Sequence, residues 1–369
     1  MNIKRIDMYR LKMPLKDVFE TSMGVETHRE FILLSAYDGD EIGFGECVAM
    51  DIPVYSEETV DTCWHMLEQY MIPAVLNRDI NHPDEFHEQF RWIRGNKMAK
   101  ATLEGAIWDL YCKIKDVSLA KELGGVKKEI LSGISMGIEK NIDKLLHDIE
   151  GYVAAGYKRL KLKIKPGYDI EPIRAIRERF PTVPLMADAN SAYTLDDIDL
   201  LKEMDQFNLM MIEQPLPYDD IIDHATLQRE INTPICLDES IKSTDDARKA
   251  IELGSCKIIN IKVGRVGGLS ESKRLHDICE ERGIPVWCGG MQESGIGRAH
   301  NIAISSLSNF TIPGDTSPSS RYWIKDITTE EVEFHDPGKI AVPDKPGIGY
   351  GLCQDTVSDY LIRREVYVK

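Results

Sequence analysis

No stretch of this chain approaches the 18 or so consecutive apolar residues that a membrane-spanning helix requires. Its start, Met1-Asn2-Ile3-Lys4-Arg5, leads into alternating sequence and not into the apolar core of a secretory signal, so a cytoplasmic location is expected. Basic residues are in deficit: 45 Lys and Arg stand against 61 Asp and Glu, a net charge of -16. The concentrated positive patch that nucleic acid or an anionic membrane demands is therefore not expected. The eight cysteines show neither CxxC nor framework spacing, which excludes a zinc ribbon or a disulfide scaffold. Several lie in apolar runs such as Pro234-Ile235-Cys236-Leu237, as small hydrophobes of a reducing compartment do. Low-complexity segments are lacking too, and no Gly-rich fingerprint follows a first strand as a dinucleotide site needs.

What is present suits one large domain and a smaller one: 369 residues, 43% hydrophobic, enough for a sizeable core. Phe31–Tyr37 reads as a strand, Asp38-Gly39-Asp40 as a turn and Ile42–Glu46 as the returning strand. From Ser56 the pattern turns helical. In Ala99–Ile114, Leu103, Ala106, Ile107, Leu110 and Ile114 recur at three- and four-residue intervals, an apolar stripe that predicts a helix packed on a core. Gly124-Gly125 ends this α+β module.

Beyond residue 125 short apolar strands alternate with amphipathic helices. Strand candidates are Gly133–Ile138, Arg159–Ile164, Leu185–Ala189, Leu209–Glu213, Ile235–Asp238, Lys257–Lys262, Pro285–Cys288 and Phe310–Pro313. Helix candidates include Asn141–Ala155, Ile170–Phe180, Leu195–Met204, Ser243–Leu253 and Ser270–Arg282. Eight strand–helix units predict an α/β fold built as a closed (β/α)8 TIM-type barrel. The expected organisation is an α+β capping domain at 1–125, the barrel at 126–320, and a tail at 321–369 that returns to complete the cap.

Charged residues fall at matching places in successive strands. Lys163, Asp188, Glu213, Asp238 and Lys262 are separated by 25, 25, 25 and 24 residues, one βα unit each. Each thus stands at the carboxyl end of its own strand, on the rim where barrels build active sites. One such acid could merely cap the helix that follows. Three in register would repel one another unless a cation lay between them, and all-oxygen ligation suits a hard divalent ion. Period two puts Lys161, Lys163 and Lys165 on one strand face and Leu160, Leu162 and Ile164 on the other. Helices cover the outside of a barrel, so the lysines must point inward, where they need anionic partners. Lys262 approaches from the opposite side of the acids. A lysine beside another cation and a metal has its ammonium form disfavoured, which suits proton abstraction. Lys165 reads as a rim ion pair.

These residues resemble a known family. The Lys161–Lys163 pair, Asp188-Ala189-Asn190, Ile212–Pro215, Leu237–Ser240 and Asn260-Ile261-Lys262 are similar to the enolase superfamily, muconate-lactonizing subgroup. Arg94–Lys100, Trp287–Gly295 and Pro313–Ser317 resemble its o-succinylbenzoate synthase / N-succinylamino acid racemase family, and the resemblance covers the whole chain. It implies a capped barrel that takes the α-proton of a small-molecule carboxylate. Asp188, Glu213 and Asp238 would bind Mg2+, with Mn2+ or Co2+ as substitutes. Lys163 would be the base and Lys262 its partner on the other face. Ser135, Lys161 and Asn190 would contact substrate or support the metal. Gly290, Met291, Phe19, Met23 and Met50 would close over the substrate's side chain. Gln292 stands where that family places an apolar residue. The implied reaction is dehydration to o-succinylbenzoate in menaquinone biosynthesis, with N-acylamino acid racemisation beside it. Racemisation as the main role, dipeptide epimerisation and cycloisomerisation are the alternatives. A homo-oligomer is expected from the frequency of symmetric assemblies.

Overall fold

The computed structural model describes residues 1–22 and 24–369. Strands β1 (Arg5–Thr21), β2 (Gly24–Asp38) and β3 (Glu41–Cys47) form an antiparallel meander, with the expected turn at Gly39 between β2 and β3. One face of this sheet packs on the helix Lys97–Ile114. Its side chains from Met98 to Cys112 are buried, because the helix lies between the sheet and the barrel. Ile114 departs from the predicted stripe: it is 44% exposed at the helix end. Strand and helix approach so closely that a Cβ on Gly45 would stand 2.0 Å from the Thr102 carbonyl oxygen. Only glycine fits there.

After β4 (Glu129–Leu131) come the parallel strands of the barrel. They are β5 (Ile134–Met136), β6 (Leu160–Lys163), β7 (Leu185–Asp188), β8 (Ile212–Glu213), β9 (Ile235–Leu237), β10 (Ile258–Ile261) and β11 (Val286–Cys288), paired in chain order. The eighth expected strand, Phe310–Pro313, is reduced to single bridges. Phe310 pairs with Val286, and Gly314 pairs with Ser132. Backbone bonds from Gly133 N to Gly314 O (2.7 Å) and from Asp315 N to Cys288 O (2.9 Å) close the ring. Pro313 has no N–H to give a ladder.

Helices follow the strands as expected, with local reasons for their bounds. Asn141 caps Ile142–Ala154 by accepting from Lys144 N, and Ser243 caps Thr244–Leu253 by accepting from Asp246 N. Gly254, at φ 75°, ends the second of these. Helices Ile222–Glu230 and Gly295–Ser305 fill the remaining gaps. The tail returns to the cap. Leu361–Val368 (β13) pairs antiparallel with β1, giving the cap sheet the order β13-β1-β2-β3, whereas Lys339–Ala341 (β12) does not reach the cap sheet and pairs with β4 beside the barrel.

Alternation sorts the barrel side chains as period two requires. Leu160, Leu162, Leu185, Ala187, Ile212, Ile235, Leu237, Ile259 and Ile261 join the large core outside the barrel, against the helices. The inward set makes its own cluster, Met186, Met211, Cys236, Ile258 and Trp287. This apolar floor fills the bottom of the barrel. Two residues further along each strand stand Asp188, Glu213, Asp238, Asn260 and Gly289, so the floor carries a polar layer.

Candidate active site

Strand register brings Lys163 opposite Asp188, and Asp188 opposite Glu213. Glu213 pairs with Cys236, so Asp238 stands two residues higher, still on the inner face. Asp188, Glu213, Asp238, Lys161, Lys163 and Lys262 are all at least nine-tenths buried, and none of the lysines points to the outer helices.

Each ammonium has specific partners. Lys163 Nζ donates to Asp188 Oδ2 at 2.7 Å and to Asn190 Oδ1 at 2.6 Å. Lys161 Nζ lies 2.7 Å from Asp315 Oδ2 and 3.3 Å from both Glu213 and Asp188. Lys262 Nζ donates to Asp238 Oδ2 at 2.9 Å and sits over the Tyr55 ring at 4.3 Å. Lys165 makes the rim ion pair, 3.5 Å from Glu20 of the cap. A Cβ on Gly289 would come within 2.4 Å of Asn260 Oδ1 and 2.8 Å of Lys262 Cε, so the glycine leaves room for both side chains.

Burial opposes the charge on Lys161 and Lys262, but it is outweighed. Asp315, Glu213 and Asp188 hold the Lys161 ammonium above the ordinary lysine range. Tyr55, Glu239, Glu213 and Asp188 do the same for Lys262. More carboxylates than cations among the protein's own side chains face these two lysines. Burial would raise Asp188, but Lys163 and Lys161 hold it well below the usual carboxylate range. Glu213 moves the other way, raised by burial and then by the neighbouring charge of Asp188.

Among the described residues, no three His, Cys, Asp or Glu side chains are gathered tightly enough to grip an ion in this arrangement. The lysines and Arg265 engage the acids instead. The donor chemistry nonetheless fits a hard divalent cation. Three carboxylates line one rim, Glu213 and Asp188 repel, and Glu239 Oε2 and Asn260 Oδ1 are buried acceptors without a donor. Asn260 Nδ2 donates to Glu213 at 2.7 Å.

One cavity lies over this layer, lined by Lys161, Lys163, Lys262, Ser135, Asn190, Gly290 and Met291 from the barrel. Phe19 and Met50 line it from the cap. Met50 is also part of the cap core, and the Phe19 ring meets Tyr322 edge-on at 6.4 Å. Met23 lies outside the described residues. Gln292 lines the same cavity at φ 58°, its buried Oε1 without a partner.

Sequence reasoning missed several members of this site. Arg159 donates to Asp315 at 2.6 Å and lies over Trp287; counting back two from Lys161 would have put it on the same face. Asp315 ends the eighth stave and sits in the segment already noted at Pro313–Ser317, where position alone marks it as a rim acid. Arg265, which binds Asp238 and the carbonyls of Ile241 and Asn260, lies in a one-turn helix and leaves no periodic signal. Gln214, at φ 37°, accepts from Asp238 N and Ser240 N and so fixes where the β9 carboxylate starts. Glu239 accepts from Asn190 Nδ2 at 3.0 Å.

Comparison with known proteins bears directly on this geometry. Residues 5–124 match the model of the mandelate racemase / muconate lactonizing enzyme N-terminal domain, and residues 144–356 match the enolase C-terminal domain-like model. The chain belongs to the enolase superfamily. It is 58% identical over 360 residues to an o-succinylbenzoate synthase of Geobacillus kaustophilus, covering 97% of this chain and 96% of that protein. It is 47% identical over 352 residues to an N-succinylamino acid racemase of Thermus thermophilus, covering 95% of each. A solved structure of an enolase superfamily member from Listeria innocua superposes with a TM-score of 0.96 at 41% identity, over 100% of this chain and 99% of that one. Membership of this superfamily implies a divalent metal and confirms the capped (β/α)8 barrel as the fold.

Proposed function

We propose that this protein is an o-succinylbenzoate synthase with N-succinylamino acid racemase activity. The observation that carries the reading is two buried lysines, Lys163 and Lys262, reaching one cavity from separate strands, with three strand-end acids between them. The names of the relatives above supply the substrate class.

In dehydration, Lys163 as the free amine takes the α-proton of 2-succinyl-6-hydroxy-2,4-cyclohexadiene-1-carboxylate. The bond from carbon 6 to its hydroxyl oxygen then breaks, the hydroxyl leaves with that proton as water, and the ring becomes aromatic. The α-proton of a carboxylate is very weakly acidic, so charge stabilisation must provide most of the acceleration. Asp188, Glu213 and Asp238 would hold Mg2+, with Mn2+ or Co2+ as substitutes, and the bound ion supplies Lewis-acid charge beside the developing enediolate. Lys262, as ammonium, faces the same charge from the other side. In racemisation Lys262 delivers a proton to the face opposite Lys163. Ser135, Lys161 and Asn190 orient the carboxylate and its surroundings. Gly290, Met291, Phe19, Met23 and Met50 enclose the side chain and exclude water.

The cap (1–125, with 321–369) thus selects the substrate and the barrel (126–320) carries the chemistry. The same reading makes the protein a cytoplasmic homo-oligomer that engages neither nucleic acid nor membranes. Incubation of the purified protein with the cyclohexadiene substrate and Mg2+ should yield o-succinylbenzoate, and chelation should abolish the yield until metal is restored. Turnover that is indifferent to chelator would overturn the metal assignment. Absence of product alongside fast α-proton exchange of N-succinylamino acids would leave racemisation as the main role.

A further inference from the structure

The cavity over the reacting lysines has a second cationic pole. Arg298, in the first turn of the helix Gly295–Ser305, is 2% exposed and lines the cavity beside Tyr322. Its guanidinium lies over the Tyr322 ring at 5.4 Å. Nη1 has only long contacts, 3.3 Å to Ser319 Oγ and 3.4 Å to Asp326 Oδ2, and Nη2 is buried with no partner among the described residues. Asp326 does not depend on it. That carboxylate already accepts from Gly295 N at 2.9 Å, Ile327 N at 2.7 Å and Ser319 Oγ at 2.5 Å.

Of the other arginines near this cavity, Arg321 has an unpartnered Nε but gives Nη2 to the Ser135 carbonyl at 3.3 Å, and the rest are occupied. Arg29 donates to the carbonyls of Val48 and Ala49, Arg159 to Asp315 and Pro313, and Arg265 to Asp238 and two backbone carbonyls. A buried guanidinium with an idle N–H pair is costly in a folded protein unless something completes it. The partner that best fits a planar fork of donors is a carboxylate.

We propose that Arg298 is the receptor for a second carboxylate, the one at the far end of the substrate's succinyl tail. The inference rests on the proposed function, since it takes that reading's substrates as dianions. One carboxylate lies at the lysines, and the other reaches past Phe19 and Tyr322 to Nη2 of Arg298. On this account the succinyl preference of the enzyme is electrostatic and directional, and it is set by a residue that touches substrate but not the reacting carbon.

The test measures binding and chemistry separately. Dissociation constants of N-succinylphenylalanine, its terminal carboxamide analogue and N-acetylphenylalanine are determined by calorimetry on the metal-loaded protein and on Arg298→Met and Arg298→Lys. The wild-type protein should bind the succinyl compound about 10- to 100-fold more tightly than the carboxamide. Arg298→Met should erase that ratio, and Arg298→Lys, which keeps the charge without the fork, should retain part of it. Equal affinity of the wild-type protein for carboxylate and carboxamide overturns the proposal, and so does a ratio that survives Arg298→Met. If Arg298→Met does not fold, the wild-type ratio and Arg298→Lys still decide. α-Proton exchange in D2O is followed in parallel. Selective binding without exchange would remove the racemase part of the proposed function and leave this subsite standing, whereas exchange without selectivity would do the reverse.

Discussion

At the scale of single residues, the site is a set of inward-facing charges made tolerable by one another. Lys161, Lys163, Asp188, Glu213 and Lys262 were legible because strand period and the apolar outer wall leave an inward charged side chain no other place. Arg159, Arg265 and Asp315 were not singled out. Arg265 reaches Asp238 from a one-turn helix outside the strand pattern, Arg159 shares the lysines' strand face but stands a step below the rim, and Asp315 ends a stave that makes bridges instead of a ladder. Gly289 shows how little room remains. In Gly289→Ala the new methyl would collide with Asn260 and Lys262 Cε, displacing the ammonium from its carbon. The expected outcome is a fall in kcat of about 100-fold, read by steady-state kinetics, with a stability loss of about 1–3 kcal/mol read by denaturant unfolding. Full activity in that variant would mean that Lys262 needs no fixed position.

At the scale of elements, the cap is clasped to the barrel by a carboxylate that no periodicity announces. Glu46 of β3 accepts from Ser294 N at 3.0 Å, Ser294 Oγ at 2.5 Å and Gly297 N at 2.8 Å, and so caps the helix Gly295–Ser305 from another domain. Burial pushes its carboxyl up to about 7, opposed by the Ser294 and Gly297 donors and reinforced by the nearby Glu293 charge. The folded state therefore holds this proton more tightly than the unfolded chain does. Its contribution to stability is fully present below about pH 4.5 and is lost as pH rises through about 7. The melting temperature of the wild-type protein relative to Glu46→Gln should accordingly fall between pH 5 and pH 8. A difference that is flat or rises over that range would contradict this account of the clasp. β3 itself and the turn before it were readable from alternation. Glu46 was not, because its partners lie some 250 residues away and only the folded topology joins them.

At the scale of the whole molecule, the alternation of strands and helices gave the barrel, and the change of rhythm near residue 125 gave the cap. The return of the tail to β1 was expected in outline, while its register, Arg5 opposite Val368, is set by pairing that one strand alone does not reveal. What joins these parts is a cavity lined by Phe19 and Met50 of the cap and by Lys161, Lys163 and Lys262 of the barrel. The account's central claim is that Lys163 and Lys262 address opposite faces of one carbon. Its most direct measurement is α-proton exchange of L- and D-N-succinylphenylalanine in D2O, followed by proton NMR for the wild-type protein, Lys163→Ala and Lys262→Ala. The wild-type protein should exchange both enantiomers, and each variant should lose both racemisation and the exchange of one enantiomer by about 100- to 10,000-fold, with opposite preferences. Loss of the same enantiomer in both variants, or racemisation that survives either, would contradict the claim.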